Sequence, residues 1–553
     1  MRKVLTGLVV VGLLSGCATL PQAGPIRIGP DLSSPADTES FYYSPLGPSD
    51  GQTPQEILSG FLAAGTGPQN DYAVAREYLS ESIRSSWNPS DEVLIQRSSA
   101  QIEFMADDSA IVVVDLSARV DADGRYESVP DGTSRDLEFK FVKENQQWRI
   151  SQAPDATILI RPVFEVVFRD YAVYFVDRQK RYLVPELRWF PTSAATGTKL
   201  ANALLRGASS WLRPAVTSAI PSGTRLSIDA VTVVDRVALV DLTSRALVAT
   251  RADRSIMKAQ LEATLSQLPN IEQVAISIER SRQEIPEAVS EIGKLESRQL
   301  LALGPEGLQL IGTGESDFFA SGTDFFDFSE FSGFAASKRD DFLAAIAPTG
   351  VIRTSLSEPG ESVELVDQRS NILELDFDPQ GFLWSVSRAR SAAIAIVSPS
   401  GESTALSAPW LAGQAIRGLA ISIEGTRVAF LLQGPTRNRV VLSSVIRNAA
   451  GEPVELVDAI EIASEVPSPT SISWSGAMQL AVLSKQIDSD SVYLVKPGGS
   501  YSTIAAPDET VSVISQGSNS PLYSLTSDNK LYVFRGSSWS LIQEQIDSIF
   551  AVN

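Results

Sequence analysis

Leu373-Glu374-Leu375-Asp376-Phe377, then Asp378-Pro379-Gln380-Gly381, then Phe382-Leu383-Trp384 reads as a strand, a turn with glycine and a second strand. The same order recurs downstream. Leu419 to Ile423 precedes Gly425 and Val428-Ala429-Phe430-Leu431, and Ile472-Ser473-Trp474 precedes Gly476 and Leu480-Ala481-Val482-Leu483. Weaker copies join Val511 to Ile514, Gly517 and Leu522 to Leu525, and Phe331, Gly333 and Phe334-Ala335-Ala336. From Gly333 onward the glycines step by 48, 44, 51 and 41 residues. A period of about 40–50 residues with four short strands per unit predicts a β-propeller over residues 297–553. A pair of stacked sheets is the alternative. Leu300 to Ile311 precedes the first copy and Ile546 to Val552 follows the last. These ends are expected to share one blade and close a ring of five or six blades, leaving no open sheet edge.

Upstream, helical periods return. Tyr171 to Val176 and Leu183 to Arg188 read as strands, and Thr198 to Leu205 as a helix stopped by Gly207. Ile228 to Val234, Arg236 to Leu242 and Val274 to Ile278 are strand-like. Between the last two, Ile256, Leu261, Leu265 and Leu268 mark one side of a helix from about 252 to 268. This predicts an α+β domain over 170–280, followed by a polar linker from Glu279 to Lys294. A further α+β domain is expected over 53–165. Thr53-Pro54-Gln55-Glu56 is a capping box that opens a helix carrying Ile57, Leu58, Phe61 and Leu62. A second helix fits Asp71 to Leu79. Ile111 to Leu116, Leu137 to Val142 and Trp148 to Ile150 read as strands of a curved antiparallel sheet. The fold class is therefore multidomain: two α+β domains followed by an all-β propeller.

The chain opens with Arg2-Lys3, an apolar run from Val4 to Leu14, and Ser15-Gly16-Cys17. That order predicts a bacterial lipoprotein signal over residues 1–16, cleaved before Cys17, with a diacylglycerol on the Cys17 sulfur. The run is shorter than the roughly 20 residues of a transmembrane helix. Residues 17–52 are rich in proline and glycine and are expected to form a flexible tether. The protein would then be lipid-anchored on the extracytoplasmic face of the cell membrane.

Composition narrows the chemistry. There is no histidine in 553 residues, and Cys17 is the one cysteine. His-based acid/base and triad catalysis are excluded, as are the usual zinc and copper ligand sets. The net charge of −20 becomes −22 without Arg2 and Lys3, so nucleic acid is not an expected partner. Ser255-Ile256-Met257-Lys258 and Ser527-Asp528-Asn529 match two motifs of penicillin-binding proteins, but no Lys-Thr-Gly completes them. Lys258 is expected on a solvated helix face and Asp528-Asn529 in a hairpin turn. Asp376 and Asp378 could pair as glycosidase carboxylates, though turn-forming acids are the plainer reading. Asp121-Ala122-Asp123-Gly124 resembles the start of a calcium loop but lacks the downstream ligands, so a turn is expected. Phe318, Phe319, Phe325, Phe326, Phe328, Phe331 and Phe334 form either blade core or an exposed docking patch. No catalytic, cofactor or metal residue is assigned.

Tyr174-Phe175, Leu183-Val184-Pro185, Leu204-Leu205-Arg206-Gly207, Ala219 to Thr224, Val240-Asp241-Leu242 and Gln260-Leu261 through Leu265 resemble the GerMN domain. With the lipobox and the propeller, the chain is similar to the LpqB family of actinobacterial lipoproteins. That resemblance implies an NTF2-like fold for 53–165 and lipidation of Cys17. It also implies a non-enzymatic accessory role at the cell envelope, with the membrane sensor kinase MtrB of the MtrAB two-component system as partner. The alternative is a module that binds peptidoglycan or another cell-wall glycan.

Overall fold

The computed structural model describes residues 45–106, 108–286, 298–311, 318–321, 327–360, 362–388, 393–487, 489–517 and 520–553. Cys17 and the expected signal lie outside the described residues. Residues 45–52, expected within the tether, are held against the first body. Tyr78 Oη donates to Leu46 O at 2.9 Å, and Gly51 N to Gln147 Oε1 at 2.7 Å.

The first body is organised by the strand Ser109–Asp121. Ala110, Val112, Val114, Leu116, Ala118 and Val120 alternate into the interior, the period of two that a one-sided sheet requires. Its first half pairs with Gln101–Ala106 and Ser134–Glu144, and its second half with Glu92–Gln96 and Tyr126–Ser128. Thr157–Ile160 runs parallel to Glu92–Gln96. The helix Pro54–Ala64 starts at the capping box, where Glu56 N donates to Thr53 Oγ1 and Thr53 N to Glu56 Oε2. It buries Ile57, Leu58 and Phe61 against Val112, Val114, Leu137 and Phe139, each burial contributing about 1.5–3 kcal/mol. The expected second helix is shorter, Ala73–Glu77, because Asn70, Asp71 and Tyr72 all take left-handed backbone angles of 49° to 58°.

The helix Arg161–Val167 leads without a break into the strand Phe168–Asp177, which forms a hairpin with Leu183–Pro191. Phe164, Phe168 and Trp189 join Val93, Ile95 and Val120 in one cluster, so the first two bodies share a core. The helix Thr196–Arg206 follows and ends at Gly207, whose φ of 94° favours glycine. Val237–Leu242 and Gln273–Ile278 pair in parallel, linked by the crossover helix Arg251–Leu265. That helix is capped by Thr250, whose hydroxyl accepts from Asp253 N. Of the expected strand Ile228 to Val234, only Thr232–Val234 pairs.

The remainder is a propeller of six blades. Five are four-stranded meanders whose first strands are Ser332–Ser337, Ile372–Phe377, Ile416–Ile421, Pro469–Trp474 and Thr510–Ser515. The sixth joins both ends of the ring. Its inner strand is Ser548–Val552, which pairs antiparallel with Gln299–Gly304, followed by Gly307–Ile311 and Phe318–Ser321. Val552 also meets Ala336 of the next blade, closing the ring. Gly381, Gly425, Gly476 and Gly517 all lie between the first and second strands of their blades, at φ of 89°, 72°, 112° and 136°. Gly333 does not share that position. It sits in a bulge of the first strand, and the corresponding turn uses Asp341 at φ 55°. Asp341 can replace glycine there because its carboxylate accepts from Ser355 Oγ, Ser357 N and Ser357 Oγ, holding the turn.

The second body is docked on the propeller. Trp189 Nε1 donates to Gly498 O at 2.8 Å, and Lys496 pairs with Asp170 at 2.6 Å. Arg161 pairs with Glu465 at 2.9 Å. Arg427, buried against Trp474 and paired with Glu424 at 2.6 Å, also donates to Pro185 O at 3.3 Å. One guanidinium thus ties two blades and the docked hairpin together.

Candidate functional site

The six inner strands wall a central channel of about 390 Å³. Most of the wall is backbone and aliphatic side chain, as inner strands packed edge to edge require. Its ionisable residues are Arg298, Glu374, Asp376 and Arg417. Burial pushes the Glu374 carboxyl up to about 8, partly opposed by Leu419 N, which donates to Glu374 Oε2 at 2.7 Å. Burial pushes Asp376 up to about 6, and the Arg298 guanidinium opposes that rise. Asp376 accepts from Ile421 N at 3.3 Å and from Asn553 Nδ2 at 3.1 Å. Glu374 therefore holds its proton to higher pH than Asp376 does.

Two carboxyls with separated proton affinities can serve as acid and base. Here their hydrogen bonds give them other work. Leu419 and Ile421 belong to the inner strand of the next blade, whose N–H groups on the channel edge lack a ladder partner. Glu374 and Asp376 satisfy those donors across the blade boundary. Each would otherwise cost about 1–3 kcal/mol as a buried unpaired group.

The alternative pairing of Asp376 with Asp378 as glycosidase carboxylates does not form in the channel, and Asp378 is the turn-forming acid of the plainer reading. Asp378 is fully buried in the turn, where it accepts from Gln380 N, Phe382 N and Trp384 Nε1. Its charge is matched by Arg447 at 2.8 Å. The channel pair is Glu374 with Asp376. The Glu-Leu-Asp alternation carries that signal, because residues two apart share a strand face. Arg298 was not legible, since it lies outside the repeated units.

The other candidates fall apart in space. Ser255 bonds back to Arg251 O at 3.5 Å and Lys258 faces Glu262 at 3.6 Å, both on the helix Arg251–Leu265. Ser527, Asp528 and Asn529 form a hairpin turn in the propeller, with Asn529 at φ 62° and Asp528 paired to Lys530 at 2.7 Å. Asp121-Ala122-Asp123-Gly124 is a turn whose carboxylates are already neutralised. Asp123 pairs with Arg125 at 2.8 Å and with Arg206 of the second body, and Asp121 Oδ1 accepts from Asp123 N and Arg125 N. Of the phenylalanine cluster, Phe328 and Phe334 are blade core, with Phe334 stacked on Phe550 at 5.8 Å. The side chains of Phe318, Phe319, Phe325 and Phe326 lie outside the described residues. Among the described residues, no three Cys, Asp or Glu side chains are placed to hold a metal ion. No helix among them is long and apolar enough to cross a membrane.

Three family descriptions match in chain order. Residues 47–165 match the N-terminal domain of Lipoprotein LpqB, residues 172–284 match Sporulation and spore germination, and residues 326–548 match the Lipoprotein LpqB beta-propeller domain. Lipoprotein LpqB of Thermobifida fusca is 26% identical over 94% of this chain and 94% of its own. Lipoprotein LpqB of Bifidobacterium longum is 26% identical over 81% of this chain and 80% of its own. The first GerMN domain of the sporulation protein GerM from Bacillus subtilis aligns at 20% identity and a TM-score of 0.19, covering 23% of this chain and 98% of that one. With both LpqB domains matched over more than half of the sequence, and whole-length likeness to LpqB lipoproteins, the chain belongs to the LpqB family.

Proposed function

We propose that this chain is a non-enzymatic lipoprotein, held by Cys17 at the extracytoplasmic face of the cell membrane, that modulates the sensor kinase MtrB through protein contact. Cell-envelope homeostasis and division are the processes it would serve. The observation that carries this reading is the docking of the second body on the propeller through Trp189, Lys496, Arg161 and Arg427. Such a body presents a broad surface in a fixed pose, which suits recognition of a protein. A glycan reader would instead favour clustered exposed aromatics. Among the described residues, Phe104 and Tyr501 are the exposed aromatics, and they lie in different bodies.

The test is crosslinking in intact membranes followed by recovery of the lipoprotein. The full chain should bring down the kinase, and a chain lacking residues 297–553 should not. Recovery of wall polymer without kinase overturns the reading. Cys17→Ser should lose fatty-acid incorporation and leave precursor or shed protein. Retained acylation overturns the anchor.

A further inference from the structure

A second cavity, of about 160 Å³, lies where the first two bodies meet. Val93, Val120, Phe168 and Trp189 supply apolar and aromatic wall, Tyr72 adds a phenol, Lys199 and Arg206 add cations, and Asp121 adds a carboxylate that is already held by Arg125 and by the N–H groups of Asp123 and Arg125. Lys199 projects from the helix Thr196–Arg206 on the face it shares with Asn202 and Arg206. Its neighbours on that face are occupied: Asn202 donates to Asp229 at 3.1 Å and Arg206 pairs with Asp123. Among the described residues, Lys199 Nζ has no hydrogen-bond or ion-pair partner. Asp71 acts on it from a distance, but that carboxylate is held by Arg76 at 2.5 Å. Burial lowers the proton affinity of Lys199, as it must for a cation shielded from water without a counter-charge.

A partly buried, unpaired ammonium is costly, and folded chains rarely keep one without use. The wall beside it carries strain as well. Tyr72 is the third of three consecutive left-handed residues, a backbone run that costs free energy and places its ring in the cavity wall.

We propose that this junction cavity binds a small monoanion with an aromatic or compact apolar body, its carboxylate seated on Lys199. The size fits: an apolar cavity of about 150 Å³ takes up benzene. The charge fits too, because Asp121 and Asp71 are engaged by Arg125 and Arg76, and one anion would give Lys199 a counter-charge of its own. The position gives such binding an outlet. Trp189 walls the cavity, and its Nε1 donates to Gly498 O of the propeller at 2.8 Å. A ligand pressed on that indole bears on the docking contact between the α+β part and the propeller.

The test is calorimetric titration of the full chain with benzoate, and with benzamide as its uncharged counterpart. Benzoate should bind at least tenfold more tightly than benzamide, and Lys199→Met should weaken benzoate at least tenfold while leaving benzamide unchanged. Equal binding of the two probes, equal benzoate binding by Lys199→Met, or no heat at millimolar benzoate overturns the proposal. The thermal midpoint of ligand-free Lys199→Met provides a second readout. It should equal or exceed that of the parent chain, because the methionine removes an uncompensated charge. A fall would show that Lys199 is a structural partner, and would overturn the proposal as well.

Discussion

The propeller channel and the junction cavity both bury ionisable groups, yet they treat them in opposite ways. In and around the channel the buried carboxyls have assigned partners. Glu374 and Asp376 accept from the neighbouring inner strand, and Asp378 is locked by Arg447 and three N–H donors. At the junction the ammonium of Lys199 faces a cavity with no such partner among the described residues. A shifted proton affinity is common to both places and so does not separate them. The hydrogen-bond inventory does.

The largest test of that contrast is removal of a cation from each side. Arg447→Met leaves Asp378 buried without its counter-charge and should lower stability by about 3–5 kcal/mol in urea unfolding. Adding Asp378→Asn should recover part of that loss. Lys199→Met should cost nothing. If both cations prove equally expensive to remove, the distinction between the regions fails.

Next in size is Gly124→Ala. Gly124 sits at φ 76°, and a Cβ there would lie 2.8 Å from Phe190 Cζ and 2.9 Å from Trp189 O. Its carbonyl also accepts from Trp189 N at 2.7 Å. The substitution should cost about 2–3 kcal/mol by strain and overpacking. It should also open the junction to limited proteolysis while the propeller stays intact. An unchanged cleavage pattern would show that this turn does not hold the two bodies together.

A smaller effect is the pH dependence set by the channel. Glu374 keeps its proton up to about pH 8 when folded, against an ordinary value of 4.5. Between those limits the folded state binds more protons than the unfolded chain. Stability from this group is therefore greatest on the acid side and falls as pH rises, by about 1.4 kcal/mol per pH unit for one proton. Glu374→Gln should flatten the slope measured by unfolding at pH 5, 6 and 7. A slope identical to that of the parent chain would mean that Glu374 is ionised in the channel. The smallest expectation concerns Ser255→Ala and Asp528→Asn, which should leave both the unfolding midpoint and kinase association unchanged. A clear loss of association from either would return these residues to consideration.

How far the sequence foretold these regions depended on whether the controlling interactions were local. The repeated strand-glycine-strand units were readable because each turn meets its own backbone demand within a few residues. The blade with Asp341 escaped because an acid held by Ser355 and Ser357 does the work of glycine, and the nearby Gly333 offered a false match. The capping box at Thr53 and the stop at Gly207 were readable for the same local reason. The shortened helix after Tyr72 was not, since no glycine marks that left-handed run. Lys199 was invisible. Its lack of a partner is a property of two bodies meeting, and nothing in Thr198-Lys199-Leu200 distinguishes it from a solvated lysine.

The pairing of Leu300 with Ala551 links residues about 250 positions apart. Five blades can be completed by neighbours in sequence as the chain emerges, but the sixth must wait for its inner strand to arrive last. Closing so long a loop is an intrinsically late event. Until then, Gln299–Gly304 offers a bare strand edge to any other chain. The final strand therefore acts as a latch that only a chain carrying Ser548–Val552 can shut. A chain interrupted before Ser548 would carry an open ring, and the cell's proteases and chaperones would meet it as an unfinished product.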